Sequence, residues 1–177
     1  IEVSWGLMQS QAEALNPGFI SRMSRKRPYV RIKQAISLDG RTAMASGESK
    51  WITGPQARAD VQRLRARSSA ILTGIGTVLA DDPALTLRAE QLGTAVSDAD
   101  MSEVIARQPL RVILDSQLRT PVNAAILAQP GETLIFYVAA DPARVAQLGA
   151  KATLIQLAAL EPLAVLQWLA LERECNE

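Results

Sequence analysis

Short apolar runs alternate along this chain with helical stretches and turn residues, the pattern of an α/β protein. Val112-Ile113-Leu114 reads as a buried strand, and so do Ser69 to Thr73, Thr133 to Val138 and Thr153 to Leu157. Between the last two, Asp141-Pro142 to Leu148 followed by Gly149 has the cap, first-turn proline and closing glycine of a helix, so strand, helix and strand make a βαβ unit. Tyr29 to Leu38 alternates Val30 and Ile32 with Arg31 and Lys33, which predicts a strand with unlike faces ending in an Asp39-Gly40 turn. Gly54 as N-cap and Pro55 at the first helical position open a helix on which Ala57, Val61 and Leu64 form a narrow apolar stripe. Gln91 to Gln108 is polar and aperiodic and reads as a surface insertion. Pro162 to Leu171 is apolar on nearly every face, which predicts either deep packing or an oligomer interface. Ile1 to Met23 reads as a connection, with a helix from Ala12 to Leu15 capped by Ser10, a break at Asn16-Pro17-Gly18, and a second helical piece from Phe19.

Composition narrows the chemistry more than the class. A chain of 177 residues that is 48% hydrophobic can build one domain with a real core. There is no apolar run of membrane-spanning length and no signal-peptide pattern, so the expectation is a cytoplasmic protein with no membrane partner. The first residues, Ile1-Glu2-Val3, leave room for an internal fragment. Histidine is absent and Cys175 is the only cysteine. These two facts exclude a Ser-His-Asp triad, a Cys-His pair, a histidine or Cys-x-x-Cys metal site and an internal disulfide, so no metal is predicted in this chain. Proton transfer falls to Asp, Glu, Lys, Tyr or water. The net charge is +1, but up to Arg67 there are 12 Lys and Arg against 5 Asp and Glu, while the remainder has 7 against 13. A basic first part suits an anionic metabolite or dinucleotide, or is simply solvated. The run Arg22, Arg25, Lys26, Arg27 has no interleaved aromatic residues to stack on bases, so nucleic acid is not the expected partner.

The candidate site residues sit at strand ends and loops, where α/β proteins build their crevices. Lys33 is on the strand face opposite Val30 and Ile32: it either lines a crevice or snorkels to water. Trp51, in a loop of little bulk (Gly47, Ser49, Gly54), is either a plug at the loop base or a platform for a nucleotide. Arg65 lies beside the helix's apolar stripe, where a guanidinium can meet a phosphate or extend into solvent. Gly74-Ile75-Gly76 is a weak dinucleotide fingerprint, since Leu79 replaces a third glycine, but two glycines still let backbone N–H groups approach a phosphate, and Thr77 adds a hydroxyl. Asp81 and Asp82 precede Pro83, as turn residues do, and one of them can instead serve a ligand.

Four pieces in order resemble one family. Lys33 to Ala43, Gly47 to Thr53, Leu64-Arg65-Ala66 and Gly74 to Arg88 are similar to the reductase domain of RibD-type riboflavin-biosynthesis enzymes. The resemblance implies a dihydrofolate-reductase-like α/β fold, a mostly parallel sheet flanked by helices. It implies NADPH-dependent reduction of 5-amino-6-(5-phosphoribosylamino)uracil to its ribityl counterpart and a phosphorylated pyrimidine as partner; a homo-oligomer is expected as well, with the apolar Pro162 to Leu171 as its candidate interface. It assigns Ala35, Trp51, Thr77, Asp81 and Ser116 to the cofactor, and Ser49, Arg65, Leu85 and Arg88 to the substrate. With no histidine, Lys33 and Asp81 are the candidates to assist proton transfer. Residues 1–27 would be an interdomain linker and 28–177 the reductase domain. The zinc-binding deaminase that precedes it in the family, and a glycine-rich phosphate loop that follows, would lie outside this sequence. The alternatives are a related pteridine or pyrimidine reductase, or an inactive packing or dimerisation module.

Overall fold

The computed structural model describes residues 1–49, 52–92 and 98–177, with backbone alone at 98–101. In chain order the elements are α1 (Gln9–Leu15), α2 (Pro17–Arg25), α3 (Pro55–Arg67), β1 (Ala70–Gly74), α4 (Ile75–Asp81), α5 (Ala89–Leu92), α6 (Asp98–Ala106), β2 (Leu110–Leu114), a 3-10 turn (Ala125–Ala128), β3 (Thr133–Tyr137), α7 (Pro142–Gly149), β4 (Thr153–Gln156) and α8 (Pro162–Glu172). They fall into two compact units, Ile1–Val30 with Leu160–Glu177, and Arg31–Ala159.

The larger unit is built on a four-stranded sheet of order β1-β2-β3-β4, with every neighbouring pair parallel. Parallel strands need crossovers, and the sequence supplies them: α4, α5 and α6 lie between β1 and β2, and α7 between β3 and β4. Asp141 caps α7 as its position predicts, its Oδ1 accepting from the Ala143 amide at 2.7 Å. Because the strands run the same way, Gly74, Leu114, Tyr137 and Gln156 end on one edge of the sheet. β2 and β3 are covered on both faces. Ile113, Ile135 and Tyr137 pack with Val78, Leu118, Ile126 and Leu148, while Val112, Leu134 and Phe136, on the alternate positions, are also fully buried. Each such aliphatic side chain contributes about 1.5–3 kcal/mol on leaving water.

One cation lies inside this unit. Arg111 on β2 is fully buried. Its Nε donates to Thr133 Oγ1 at 3.0 Å, Nη1 to the Pro130 carbonyl at 2.7 Å, and Nη2 to the carbonyls of Gly131 at 2.8 Å and Gln129 at 3.2 Å. Burial holds its pKa below the ordinary arginine value. The guanidinium thus ties the turn before β3 to β2, and Gly131 in that turn has φ +91°.

In the smaller unit, α1 and α2 meet at Asn16, and α2 packs against the end of the chain. A Cβ on Gly18 would stand 2.8 Å from the Asn176 carbonyl oxygen, so only glycine permits that approach. Arg22 Nε donates to Asn176 Oδ1 at 2.9 Å and the Tyr29 amide to the Asn176 carbonyl at 2.8 Å. In α8, Val165, Leu169 and Ala170 are buried while Leu163 and Leu171 are exposed, so the helix is neither wholly packed nor wholly free.

Three expectations change. Tyr29 to Leu38 is extended but forms no ladder: Ile32 is 83% exposed and Leu38 fully so. Alternation licenses a strand, but a ladder needs a neighbour paired along its length, and no strand is formed over this stretch. The buried face of α3 is not the predicted stripe. Ala57 is exposed, Val61 and Leu64 are half-buried, and the one fully buried residue of the helix is Gln62. The expected insertion at Gln91 to Gln108 contains α6 over Asp98–Ala106, a helix whose weak periodicity hid it.

Candidate active site

Everything in this site belongs to the larger unit. β1 ends at Gly74, which caps α4 with extended backbone. A Cβ added at Gly74 or Gly76 would meet nothing within 4 Å, and neither residue has a positive φ. Neither packing nor backbone strain calls for glycine at these positions. What the missing side chains leave is open access to the backbone at the sheet's carboxyl edge, which fits a phosphate-bearing cofactor such as a dinucleotide. Thr77 is exposed one residue further on.

The acidic pair divides its duties. Asp82 takes a left-handed conformation at the end of α4 (φ 40°) and its Oδ1 accepts from the Ala125 amide at 2.7 Å, so it is a structural tie. Asp81 instead lines a cleft of about 390 Å³ with Gly47, Glu48, Ser49 and Ala80. The structure therefore brings together Ser49 and Asp81, one assigned to substrate and one to cofactor. Glu48, which sequence reasoning passed over, is also in the lining; its neighbour Gly47, at φ +87°, turns the loop there.

A second group forms around the stretch that leaves this cleft. Thr86 and Leu87 are buried without strand partners, so side chains must satisfy their backbone. Arg65 Nη1 donates to the Thr86 carbonyl at 2.9 Å, the Leu87 amide donates to Gln108 Oε1 at 2.9 Å, and the Arg88 amide donates to Gln62 Oε1 at 3.2 Å. Arg65 is half-buried and Arg88 exposed. Burial, and then the nearby charge of Arg88, hold the Arg65 guanidinium below its ordinary pKa. Neither arginine has an acidic partner among the described residues. Two like charges without an acidic partner among the described residues are an arrangement that an anion would stabilise. Leu85, at φ +51°, sits between the two groups and packs its half-buried side chain against the core.

Ser116 follows the buried Asp115 at the end of β2 and is exposed. Its turn is rigidly held. Asp115 Oδ2 accepts from the Thr120 amide at 2.7 Å and Thr120 Oγ1 at 2.8 Å, Arg144 Nη2 donates to the Leu118 and Thr120 carbonyls, and the Ser116 carbonyl accepts from Val138 and Ala139. Asp115 Oδ1 is buried without a partner. Lys33 is exposed and Ala35 half-buried on the extended stretch, and neither lines the cleft. Trp51 lies outside the described residues. Among the described residues no cluster of His, Cys, Asp and Glu has the makings of a metal site.

Comparison with known proteins places this geometry. The family model described as the RibD C-terminal domain matches residues 28–176. The riboflavin biosynthesis protein RibD of Escherichia coli (strain K12) is 59% identical over 134 residues, covering 75% of this chain and 36% of that protein. Among solved structures, Acinetobacter baumannii RibD (form 1) superposes with a TM-score of 0.79 at 43% identity, over 99% of this chain and 46% of that one. A Thermotoga maritima protein, described as a diaminohydroxyphosphoribosylaminopyrimidine deaminase/5-amino-6-(5-phosphoribosylamino)uracil reductase, does so with a TM-score of 0.74 at 29% identity, over 100% of this chain and 45% of that one. The chain thus spans about a third of the length of the curated relative, and its parallel sheet flanked by helices is the α/β architecture of RibD reductase structures. By the extent of the family match and the identity of these relatives, the chain belongs to the RibD C-terminal domain family.

Proposed function

We propose that this chain carries the reductase chemistry of riboflavin biosynthesis: NADPH-dependent reduction of 5-amino-6-(5-phosphoribosylamino)uracil to 5-amino-6-(5-phosphoribitylamino)uracil. The observation that carries the reading is the Arg65–Arg88 pair, with Arg65 Nη1 held on the Thr86 carbonyl two residues before Arg88 and neither arginine paired with an acid among the described residues, which suits the phosphate of such a substrate. Ser49 would hold the same molecule at the cleft end, and Asp82 to Leu87 connects the two groups. NADPH, when bound, supplies the hydride that C1 of the opened ribosyl group takes up. Thr77, Asp81, Ser116, Ala35 and Trp51 would hold the cofactor. Lys33 or Asp81 would deliver the proton that the ring oxygen gains as the furanose opens, and the cleft would keep donor and acceptor carbons within near-attack distance, about 3–3.5 Å. Residues 1–27 would serve as the linker and 28–177 as the reductase portion. The same reading makes the protein a cytoplasmic homo-oligomer that acts on a free metabolite, supported by the exposed Leu163 and Leu171 of α8 and by the lack of any helix long and apolar enough to cross a membrane among the described residues.

The test is steady-state NADPH oxidation by the natural protein carrying this sequence, with and without the phosphoribosylaminouracil. Oxidation that needs this pyrimidine supports the reading. Oxidation driven equally by other pteridines or pyrimidines would assign the chain to a related reductase, and none at all would leave a packing module.

A further inference from the structure

Gln62 is a polar residue where a helix usually buries an apolar one. It is 4% exposed, the most buried position of α3, and both arms of its amide are in use. Oε1 accepts from the Arg88 amide at 3.2 Å and Nε2 donates to Gln91 Oε1 at 3.3 Å. Gln108 serves the preceding residue in the same manner, accepting from the Leu87 amide and donating from Nε2 to the Ile105 carbonyl at 2.8 Å. Two glutamines thereby do for Leu87 and Arg88 what a neighbouring strand would do, and they fix the backbone from which the Arg88 side chain extends.

The choice of an amide matters. A glutamate at either position would accept the same backbone N–H bond, and more strongly, because a charged acceptor makes the better hydrogen bond. At position 62 it would also place a negative charge three residues before Arg65 on one helix face and on the backbone amide of Arg88, where it would weaken the cationic field of the pair. A neutral acceptor satisfies the chain and leaves the cationic field intact. We infer that Gln62 is a positioning and specificity-determining residue, which fixes Arg88 beside Arg65 while leaving both charges for the phosphate monoester of the ligand, so that the phosphorylated sugar is preferred over its neutral counterpart. This rests on the reading of Arg65 and Arg88 as the substrate's anion site.

Calorimetric titration of the chain with ribose 5-phosphate, with ribose as the neutral control, tests both levels. Arg88→Ala should weaken ribose 5-phosphate binding about tenfold or more. Gln62→Met, which keeps the length and removes both hydrogen bonds, should weaken it by a smaller factor, about threefold. Gln62→Glu, which keeps the bond to the Arg88 amide, should nonetheless weaken it more than Gln62→Met, by about tenfold or more, and should flatten the dependence of affinity on salt. A purely structural role predicts the reverse order, with the glutamate variant closer to wild type. If Arg88→Ala changes nothing, or wild type does not bind, the anion-site reading falls. If Arg88→Ala weakens binding but Gln62→Glu does not exceed Gln62→Met, that reading stands and the inference about Gln62 is overturned. Should Gln62→Glu melt below the titration temperature, Gln62→Met is read by itself: a loss of ribose 5-phosphate affinity supports the positioning role, and an unchanged affinity overturns it.

Discussion

Two arginines of the larger unit, Arg111 and Arg65, show how the same side chain is spent in opposite ways. Arg111 is closed: four oxygen atoms around its guanidinium satisfy it, and no face remains for a ligand. Arg65 is open, with one carbonyl partner, a second arginine nearby and no acidic partner among the described residues. Gln108 stands between the two regions, its Oε1 receiving the Leu87 amide and its Cβ facing Gly131 in the turn that Arg111 holds. Burial alone therefore does not distinguish a structural arginine from a functional one. The count of satisfied donors does.

The comparison breaks most plainly at Arg111. Arg111→Met should cost about 2–4 kcal/mol of stability by denaturant unfolding, because it removes the guanidinium that ties the turn carbonyls of Gln129, Pro130 and Gly131 and the buried Thr133 hydroxyl to β2. A loss under about 1 kcal/mol would mean that water replaces the guanidinium and that the site is not closed. Next in size, Arg65→Ala or Arg88→Ala should raise KM for the phosphorylated substrate roughly tenfold to a hundredfold while leaving KM for NADPH within about twofold. Equal effects on both ligands would refute the division of the site.

The same contrast holds for two glycines, with smaller effects. Gly131→Ala should destabilise by about 1–2 kcal/mol, since φ is +91° and the new Cβ would come to 3.2 Å from Gln108 Cβ. Gly76→Ala should leave the melting temperature unchanged or slightly raised, because its Cβ meets nothing and its φ is not positive, and should weaken NADPH binding measured by titration. An unchanged NADPH dissociation constant would remove the cofactor from that edge of the sheet.

The sheet was legible because its signals are local. Val112-Ile113-Leu114 and Thr133 to Tyr137 are apolar runs of strand length, and Asp141-Pro142 announces its helix in two residues. Tyr29 to Leu38 misled because its alternation says which face is apolar, while pairing depends on a neighbour that local pattern cannot reveal. Of the site, Ser49 and Asp81 meet in one cleft and Arg65 and Arg88 at one stretch of backbone, both within segments singled out from sequence. Local pattern left the pair Asp81-Asp82 undivided and only the family resemblance singled out Asp81; in the structure the left-handed turn at Asp82 aims one carboxylate at Ala125 and leaves the other in the cleft. Gln62 gave no signal beyond its place three residues before Arg65, because a glutamine on a helix is ordinarily solvated. Glu48 gave none either, because a carboxylate in a surface loop is ordinarily solvated.

The register of the sheet also orders events in time. β3 and β4 pair Leu134 with Thr153 across the short span that holds α7, whereas β1 and β2 pair Ala70 with Leu110 across roughly twice that length of chain. Loop closure makes the longer pairing the slower to nucleate, so β3, α7 and β4 are expected to condense first and β1 to dock last. Pulse-labelled hydrogen exchange during refolding should therefore protect the Ile135 amide before that of Leu72, and the reverse order would overturn the scheme. On the proposed assignment, the strand end that carries Ser116 would then be ordered before the helix that carries Thr77 and Asp81, so a refolding chain would hold a nicotinamide nucleotide only once its first strand has docked.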